Sequence, residues 1–161
     1  MEALLVWLEG SAFGQLMRTS GVWVYGVVNL FHILGIATLF GAVLVLDLRL
    51  LGLWRRVPLT ALERPTLTLA ACGFALAVGS GISLISTNGT EYIGNPFLLL
   101  KFSAIGLGLV NIVAAQFLPA WRTRANEPHA PRQRFVLGVI GATSLACWLG
   151  AVAAGRMIGY W

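Results

Sequence analysis

The sequence predicts an all-α fold: a polytopic membrane protein built as a four-transmembrane-helix bundle, with a short N-terminal interfacial helix. Hydrophobic residues make up 58% of the chain and charged residues only 11%, whereas soluble domains carry about 25% charged residues. Four apolar runs approach the length of about 20 residues at which a helix crosses the bilayer. We therefore expect residues 1–161 to form a single membrane domain that interacts with the lipid bilayer.

The N-terminal segment is too short and too acidic at its start to be a secretory signal peptide. Its apolar residues recur at helical spacing, with charged or polar residues between them, which is typical of a helix that lies in the membrane interface. The alternative is a partly ordered tail. The apolar residues of this pattern are Leu4, Leu5, Leu8, Ala12 and Leu16.

The four predicted spans cover about residues 22–46, 66–87, 97–118 and 135–154. Pro58 and Pro65 are expected to break helical structure before the second span. Residues 60–63 match a capping box, which indicates a short helix there. Asn95 and Pro96 predict an N-cap followed by the first helical residue of the third span.

Arginines set the expected orientation in the membrane. The loops before the second and fourth spans hold four arginines each, and the loop between the second and third spans holds no lysine or arginine. Because basic loops stay in the cytoplasm, we expect a multi-pass protein of the bacterial inner (cytoplasmic) membrane with both termini periplasmic. The net charge of +5 is then a topology signal, and nucleic acid is not an expected partner. The arginines are Arg49, Arg55, Arg56, Arg64, Arg122, Arg124, Arg132 and Arg134.

Two stripes of small residues at four-residue spacing predict close helix packing. The partner of either stripe could lie in the same chain or in another subunit, so we expect a homo-oligomer or a subunit of a larger membrane complex. The second span contributes Gly73, Ala77 and Gly81, and the fourth Gly138, Ala142, Ala146, Gly150 and Ala154.

The first span carries Tyr25, Asn29 and His32 on one helical face. A rise of 1.5 Å per residue places His32 roughly 15 Å below the outer end of the span. An ionisable side chain at that depth is costly and usually functional.

Two cations are predicted near the outer membrane surface. Lys101 lies about 6 Å below the start of the third span, and the histidine level is about 9 Å deeper. Arg156 falls at the outer end of the fourth span. This arrangement suits haem, with His32 as the iron ligand, Lys101 and Arg156 near the propionates, and Asn29 orienting the imidazole. The alternative is that His32 bonds to a neighbouring helix while the two cations reach out to the interface.

A pair of histidines from one chain cannot bind the iron, because the other histidine, His129, lies in an arginine-rich loop. A copper site would need several soft ligands close together. Cys72 and Cys147 differ in depth by about 10 Å, so core-packing thiols are the favoured interpretation.

Four further polar residues are interpreted as structural. Asp47 and Arg49 bracket the inner end of the first span and are interpreted as a helix-end charge pair and topology anchor, with a cytoplasmic gate as the alternative. Asn111 and Gln116 on the third span are candidates for hydrogen bonds between helices.

A family resemblance joins these features. His32 is followed by Gly35, Gly41 and the string at residues 47–52, then by Asn95-Pro96-Phe97 and by Lys101. This pattern resembles a group of small, uncharacterised four-helix bacterial membrane proteins. It is also distantly similar to the copper-resistance D family and to the haem-containing membrane protoporphyrinogen oxidase family, in which a first-helix histidine and a third-helix lysine recur.

The resemblance implies haem b ligation by a residue in the position of His32, with Lys101 as the matching lysine. The expected function is a haem b-binding role in membrane electron transfer, with quinone as a candidate partner. If the chain is an enzyme, it would be a membrane oxidoreductase or its cytochrome b-like subunit. Two alternatives stay open: a copper or small-ion transport protein, and a non-catalytic structural subunit.

Overall fold

The computed structural model describes residues 2–125 and 129–161, and in these residues the chain is helical with no β-strand. The four long helices are α3, α4, α5 and α7, and each is long and apolar enough to cross a membrane. The predicted class, an all-α multi-pass membrane protein, is confirmed. The helices are α1 (Glu2–Gly10), α2 (Ala12–Thr19), α3 (Gly21–Leu50), α4 (Leu59–Thr87), α5 (Pro96–Phe117), α6 (Pro119–Arg122) and α7 (Pro131–Met157), with 3₁₀ turns at Gly89–Tyr92 and Ile158–Tyr160.

The N-terminal segment forms two helices where the sequence predicted one. Ser11 separates them, and its hydroxyl accepts a hydrogen bond from the Gly14 amide at 3.1 Å as the N-cap of α2. Both helices pack on α4, and α1 also packs against the 3₁₀ turn after it. The Arg18 guanidinium donates to the terminal carbonyls of α4, Ser86 and Thr87.

Pro65 does not end a helix, contrary to the sequence prediction. Helix α4 begins at Leu59 and runs through Pro65. Pro65 is the seventh residue of α4 and lacks the N–H that would bond to the Ala61 carbonyl. The helix nevertheless continues past it, and Thr66 donates its hydroxyl to the Leu62 carbonyl at 2.7 Å. The predicted capping of α5 is confirmed: the Asn95 side chain accepts from the amides of Phe97 and Leu98. Residues 126–128 of the predicted third loop lie outside the described residues.

The long helices pack in the order α4, α3, α7, α5. Within the described residues α4 and α5 make few close backbone contacts, so they stand at the two ends of this packing order. The largest group of buried apolar residues lies at the arginine-rich end, where α3, α4, α5, α6 and α7 meet. It comprises Leu46, Leu50, Leu59, Ala115, Trp121, Leu137 and Ile140.

The small-residue stripe on α4 forms a close contact with α3. A Cβ placed on Gly73 would lie 2.5 Å from the Leu39 nitrogen, and one on Gly35 would lie 2.7 Å from the Ala77 nitrogen. Real Cβ atoms do not approach backbone so closely, so both positions require glycine. Backbones in contact are the expected mode of helix association without a hydrophobic drive.

The stripe predicted on α7 is not its main packing face. Among the stripe residues Ala154 is buried, whereas Ala142 and Ala146 are exposed in the single chain. The buried face also includes Gly141 and Ser144, and a Cβ on Gly141 would lie 3.0 Å from the Asp47 carbonyl oxygen. Small residues allow two helices to approach closely, but the rotation of the helix determines which of these residues contact another helix.

Candidate functional site

His32 is half-buried at the contact of α3 with α4. Its Nδ1 lies 2.9 Å from the carbonyl oxygen of Ala77 and 3.1 Å from the Ser80 hydroxyl. A carbonyl oxygen only accepts, so Nδ1 carries the proton and donates it. In a neutral imidazole the other nitrogen, Nε2, then holds a free lone pair. Nε2 has no hydrogen-bond partner among the residues described, so it is available as a ligand.

Two neighbours on α4 shape the position of the imidazole. The Ser80 hydroxyl donates to the Leu76 carbonyl at 2.5 Å, which leaves its oxygen free to accept from His32. Gly81 lies against the ring, since a Cβ there would be 3.0 Å from the His32 Cε1 atom. From the sequence, Ala77 and Gly81 were predicted to be packing residues. Their contacts with the imidazole of His32 were not predicted. The available signal was Ser80, a polar residue beside the stripe.

Lys101 lies near this histidine, on α5. Its side chain is half-buried and packs along Gly155 of α7, where a Cβ would be 3.5 Å from the Lys101 Nζ. The ammonium makes no hydrogen bond or ion pair with any residue in the described part of the chain. Lys101 is therefore a cation in the bundle that is available to a ligand.

The other predicted site residues are not drawn to this point. Arg156 is exposed, stacks 4.6 Å over the Tyr160 ring and donates to the Tyr160 hydroxyl. Tyr25 is exposed and lies near Tyr92 of the 3₁₀ turn after α4. The pKa of Tyr92 is raised, first by burial and second by Tyr25. Asn29 is exposed on α3, and the orienting bond that we expected from it comes from Ala77.

Comparison with protein families identifies the chain. The model of a family of unknown function, DUF6644, matches residues 4–161. The chain belongs to this family. The predicted membership of an uncharacterised family is thereby confirmed, and the match extends on both sides of the motifs that suggested it, which lie between His32 and Lys101.

No functionally curated protein and no solved structure matches this DUF6644 chain. The distant similarity to the copper-resistance D and protoporphyrinogen oxidase families therefore stays an expectation. Any function proposed for this DUF6644 chain therefore rests on its own residues.

The described part of the DUF6644 bundle has no cluster of side chains that could bind a metal ion. The described residues contain no group of three or more histidine, cysteine, aspartate or glutamate side chains that could hold a metal ion. Cys72 is exposed on α4, and Cys147 is half-buried on α7. The arrangement around His32 offers one imidazole nitrogen and one ammonium, which suits a cofactor with its own equatorial ligands better than a bare ion.

Proposed function

We propose that this protein binds haem b through His32 Nε2 and takes part in membrane electron transfer, alone or as a cytochrome b-like subunit of a larger oxidoreductase. The observation that carries the proposal is the hydrogen bond from His32 Nδ1 to the Ala77 carbonyl. Metal-binding histidines usually donate their other ring N–H to such an acceptor, which fixes the tautomer and raises ligand basicity.

The residues present fit haem in two respects. His32 offers an unprotonated nitrogen inside the membrane, and Lys101 offers an unpaired ammonium toward a propionate. Arg156 fits less well, because it would have to leave Tyr160 to reach a second propionate. When bound, the haem would supply reversible one-electron chemistry, and the protein would supply the axial nitrogen and the nearby positive charge.

His32 is the only histidine of this chain that would hold the haem. The chain has two histidines, and His129 follows α6 at the opposite, arginine-rich end, where its Nε2 lies 2.9 Å from the Arg124 carbonyl. Quinone is the electron partner that we propose for such a site.

The proposed location is the bacterial inner membrane, with both termini on the periplasmic side. It is supported by the contrast between the arginine-rich connections and the outer turn at Gly89–Tyr92, which has no basic residue. A reporter enzyme that is active only in the periplasm, fused after Trp161, should be active. An inactive, fully expressed fusion would reverse the orientation.

A visible spectrum of the full-length protein, expressed with sufficient haem supply and purified in detergent, tests the cofactor. We expect a Soret band that His32→Ala abolishes, that Lys101→Gln weakens and that His129→Ala leaves unchanged. A colourless wild-type protein after haem reconstitution would overturn the proposal. Stoichiometric copper in that protein would favour the transport alternative, and a stable partner without cofactor would favour the structural subunit.

A further inference from the structure

A groove of about 700 Å³ lies between the end of α3 and the start of α7, at the arginine-rich end of the bundle. Its volume falls within the range of ligand pockets, about 300–1,000 Å³. The turn that follows α3 closes one side of it with Gly52 and Arg55. The groove is separate from the proposed haem site, because Arg49 in its lining is roughly 25 Å from His32 along α3.

Four basic residues line this groove: Arg49, Arg55, His129 and Arg134. No aspartate or glutamate of the described residues belongs to the lining. Like charges brought close together repel one another, and an anion between them relieves the repulsion. Helix α7 begins here without an acid in its first turn, so the positive end of its dipole acts in the same direction. The groove therefore favours an anionic ligand.

Two of the four basic side chains are held in place by backbone carbonyls. Arg49 Nε donates to the Val57 carbonyl at 2.8 Å, and His129 Nε2 lies 2.9 Å from the Arg124 carbonyl oxygen. Arg49 is also mostly buried, with 7% of its surface exposed. These two residues form the wall of the groove, and ligand binding falls to the other two.

Arg55 and Arg134 are both exposed, so a ligand in the groove can contact them. The Arg134 side chain has no hydrogen-bond or ion-pair partner in the described part of the chain. Arg55 Nε donates to the Gly52 carbonyl at 3.1 Å, and a Cβ on Gly52 would lie 2.9 Å from Arg55 Nη2. Gly52 has φ +105°, which favours glycine, so this residue lets the guanidinium fold back onto the turn. Forked guanidinium donors suit the oxygens of a phosphate.

Away from the arginines the groove is apolar. On α7 it extends from Arg134 past Phe135 and Val139 to Ala142, a distance of roughly 12 Å along the helix. Phe135 and Val139 are 72% and 49% exposed, and they lie on a helix that is long and apolar enough to cross the membrane. A basic end that continues into an exposed apolar wall matches a molecule with an anionic head and a hydrocarbon chain.

We propose that this groove binds one anionic phospholipid, with its phosphate between Arg55 and Arg134 and the first part of an acyl chain along Phe135 and Val139. Basic pockets between membrane helices bind the headgroups of such lipids. The depth is suitable, because Trp54, 52% exposed in the same turn as Arg55, is of a residue type enriched at the membrane interface. A zwitterionic lipid brings a cation that offsets the attraction, and a soluble phosphate leaves the apolar wall uncovered.

Native mass spectrometry of the full-length, delipidated protein in detergent, titrated with phosphatidylglycerol, tests this site. We expect saturable binding of one lipid per chain and weaker binding of phosphatidylcholine with the same acyl chains. Arg55→Gln and Arg134→Gln should each weaken phosphatidylglycerol binding about fivefold. Arg56→Gln and Arg132→Gln are matched controls, since both arginines are exposed, lie next to the lining arginines in sequence and are outside the lining. Each control should leave the affinity unchanged.

Equal losses in the lining and control variants would assign the binding to general surface charge and overturn the proposal, as would equal affinity for the two lipids. Displacement of the lipid by glycerol phosphate at the same concentration would also overturn it and identify a soluble phosphate ligand. A thermal melt of each variant without added lipid separates misfolding from loss of binding. His32→Ala should leave lipid binding unchanged, and Arg55→Gln should leave the Soret band unchanged, so the haem and lipid proposals fail separately.

Discussion

His32 on α3 donates its Nδ1 proton to the carbonyl oxygen of Ala77 on α4, across 2.9 Å and 45 positions of sequence. The glycine contact between Gly35 and Gly73, less than one helical turn from His32 along α3, brings the two backbones close enough for this bond. Packing of small residues and placement of the histidine are thus one structural feature.

This bond predicts the tautomer of the cofactor-free protein. Nitrogen-15 NMR of histidine-labelled protein in detergent at neutral pH should show His32 with a protonated Nδ1 and an unprotonated Nε2. The carbonyl of Ala77 cannot donate a proton, so the reverse tautomer would lose the hydrogen bond. His129→Ala assigns the two sets of signals. A protonated Nε2 on a neutral His32 would contradict both the bond and the availability of Nε2 as a ligand.

The α3–α4 contact should be sensitive to side-chain size at Gly73. We expect Gly73→Leu to lower the free energy of unfolding by about 1–3 kcal/mol. The new side chain would clash with the backbone of α3, which cannot move away as a flexible side chain could. Gly79→Leu on the same helix is the matched control, since a Cβ there meets no atom within 4 Å. Equal melting temperatures for the two variants in detergent would argue against this packing.

The ion pair of Glu63 and Arg124 should stabilise the arginine-rich end. Arg124 Nε donates to Glu63 Oε2 at 2.8 Å, Nη2 donates to Oε1, and the guanidinium lies 4.5 Å over the Trp121 ring. The hydrogen bond to Glu63 raises the pKa of Arg124. Because both side chains are partly exposed, solvent weakens the pair, and we expect Glu63→Gln to cost about 1 kcal/mol. Glu2→Gln, at an exposed position, should be neutral in the same unfolding titration.

Attachment of the N-terminal helices should depend on pH through Glu9. Its carboxylate accepts the Thr90 amide at 2.7 Å, and this bond, with a smaller contribution from Arg18, lowers the pKa of Glu9 below its ordinary 4.5. A lowered pKa in the folded state means that the stabilisation is present above pH 4.5 and is lost as pH falls through the folded value. Hydrogen exchange should show the protection factor of the Thr90 amide decreasing in that range. Glu9→Gln should remove the pH dependence; a decrease that persists in this variant would assign it to another group.

Much of the architecture was predictable because its causes are local. The apolar runs predicted four long helices, and Asn95 with Pro96 predicted the start of α5, since an N-cap depends on its own neighbours. The prediction that Pro65 breaks the helix was wrong, because α4 continues through it even though a proline inside a helix removes one backbone hydrogen bond. The break at Ser11 was missed, although serine is a common N-cap residue.

The candidate sites were predictable only in part. His32 and Lys101 stood out because ionisable residues are rare in membrane helices, and both lie in the bundle. Arg156 could not be separated from them by depth alone, since its interaction with Tyr160 depends on the turn after α7. Asp47 was interpreted as part of a helix-end charge pair, because nothing near it in sequence shows that it is buried against Ser144 of α7.

The number, order and approximate length of the membrane helices follow from hydropathy and capping, which act over one helix at a time. Which polar atoms meet depends on how the helices pack. The rotation of α3 against α4 directs His32 Nδ1 to Ala77. The packing of α7 on α3 places Ser144 beside Asp47. Helix rotation and pairing follow from close contacts between residues far apart in the chain, and hydropathy does not encode them.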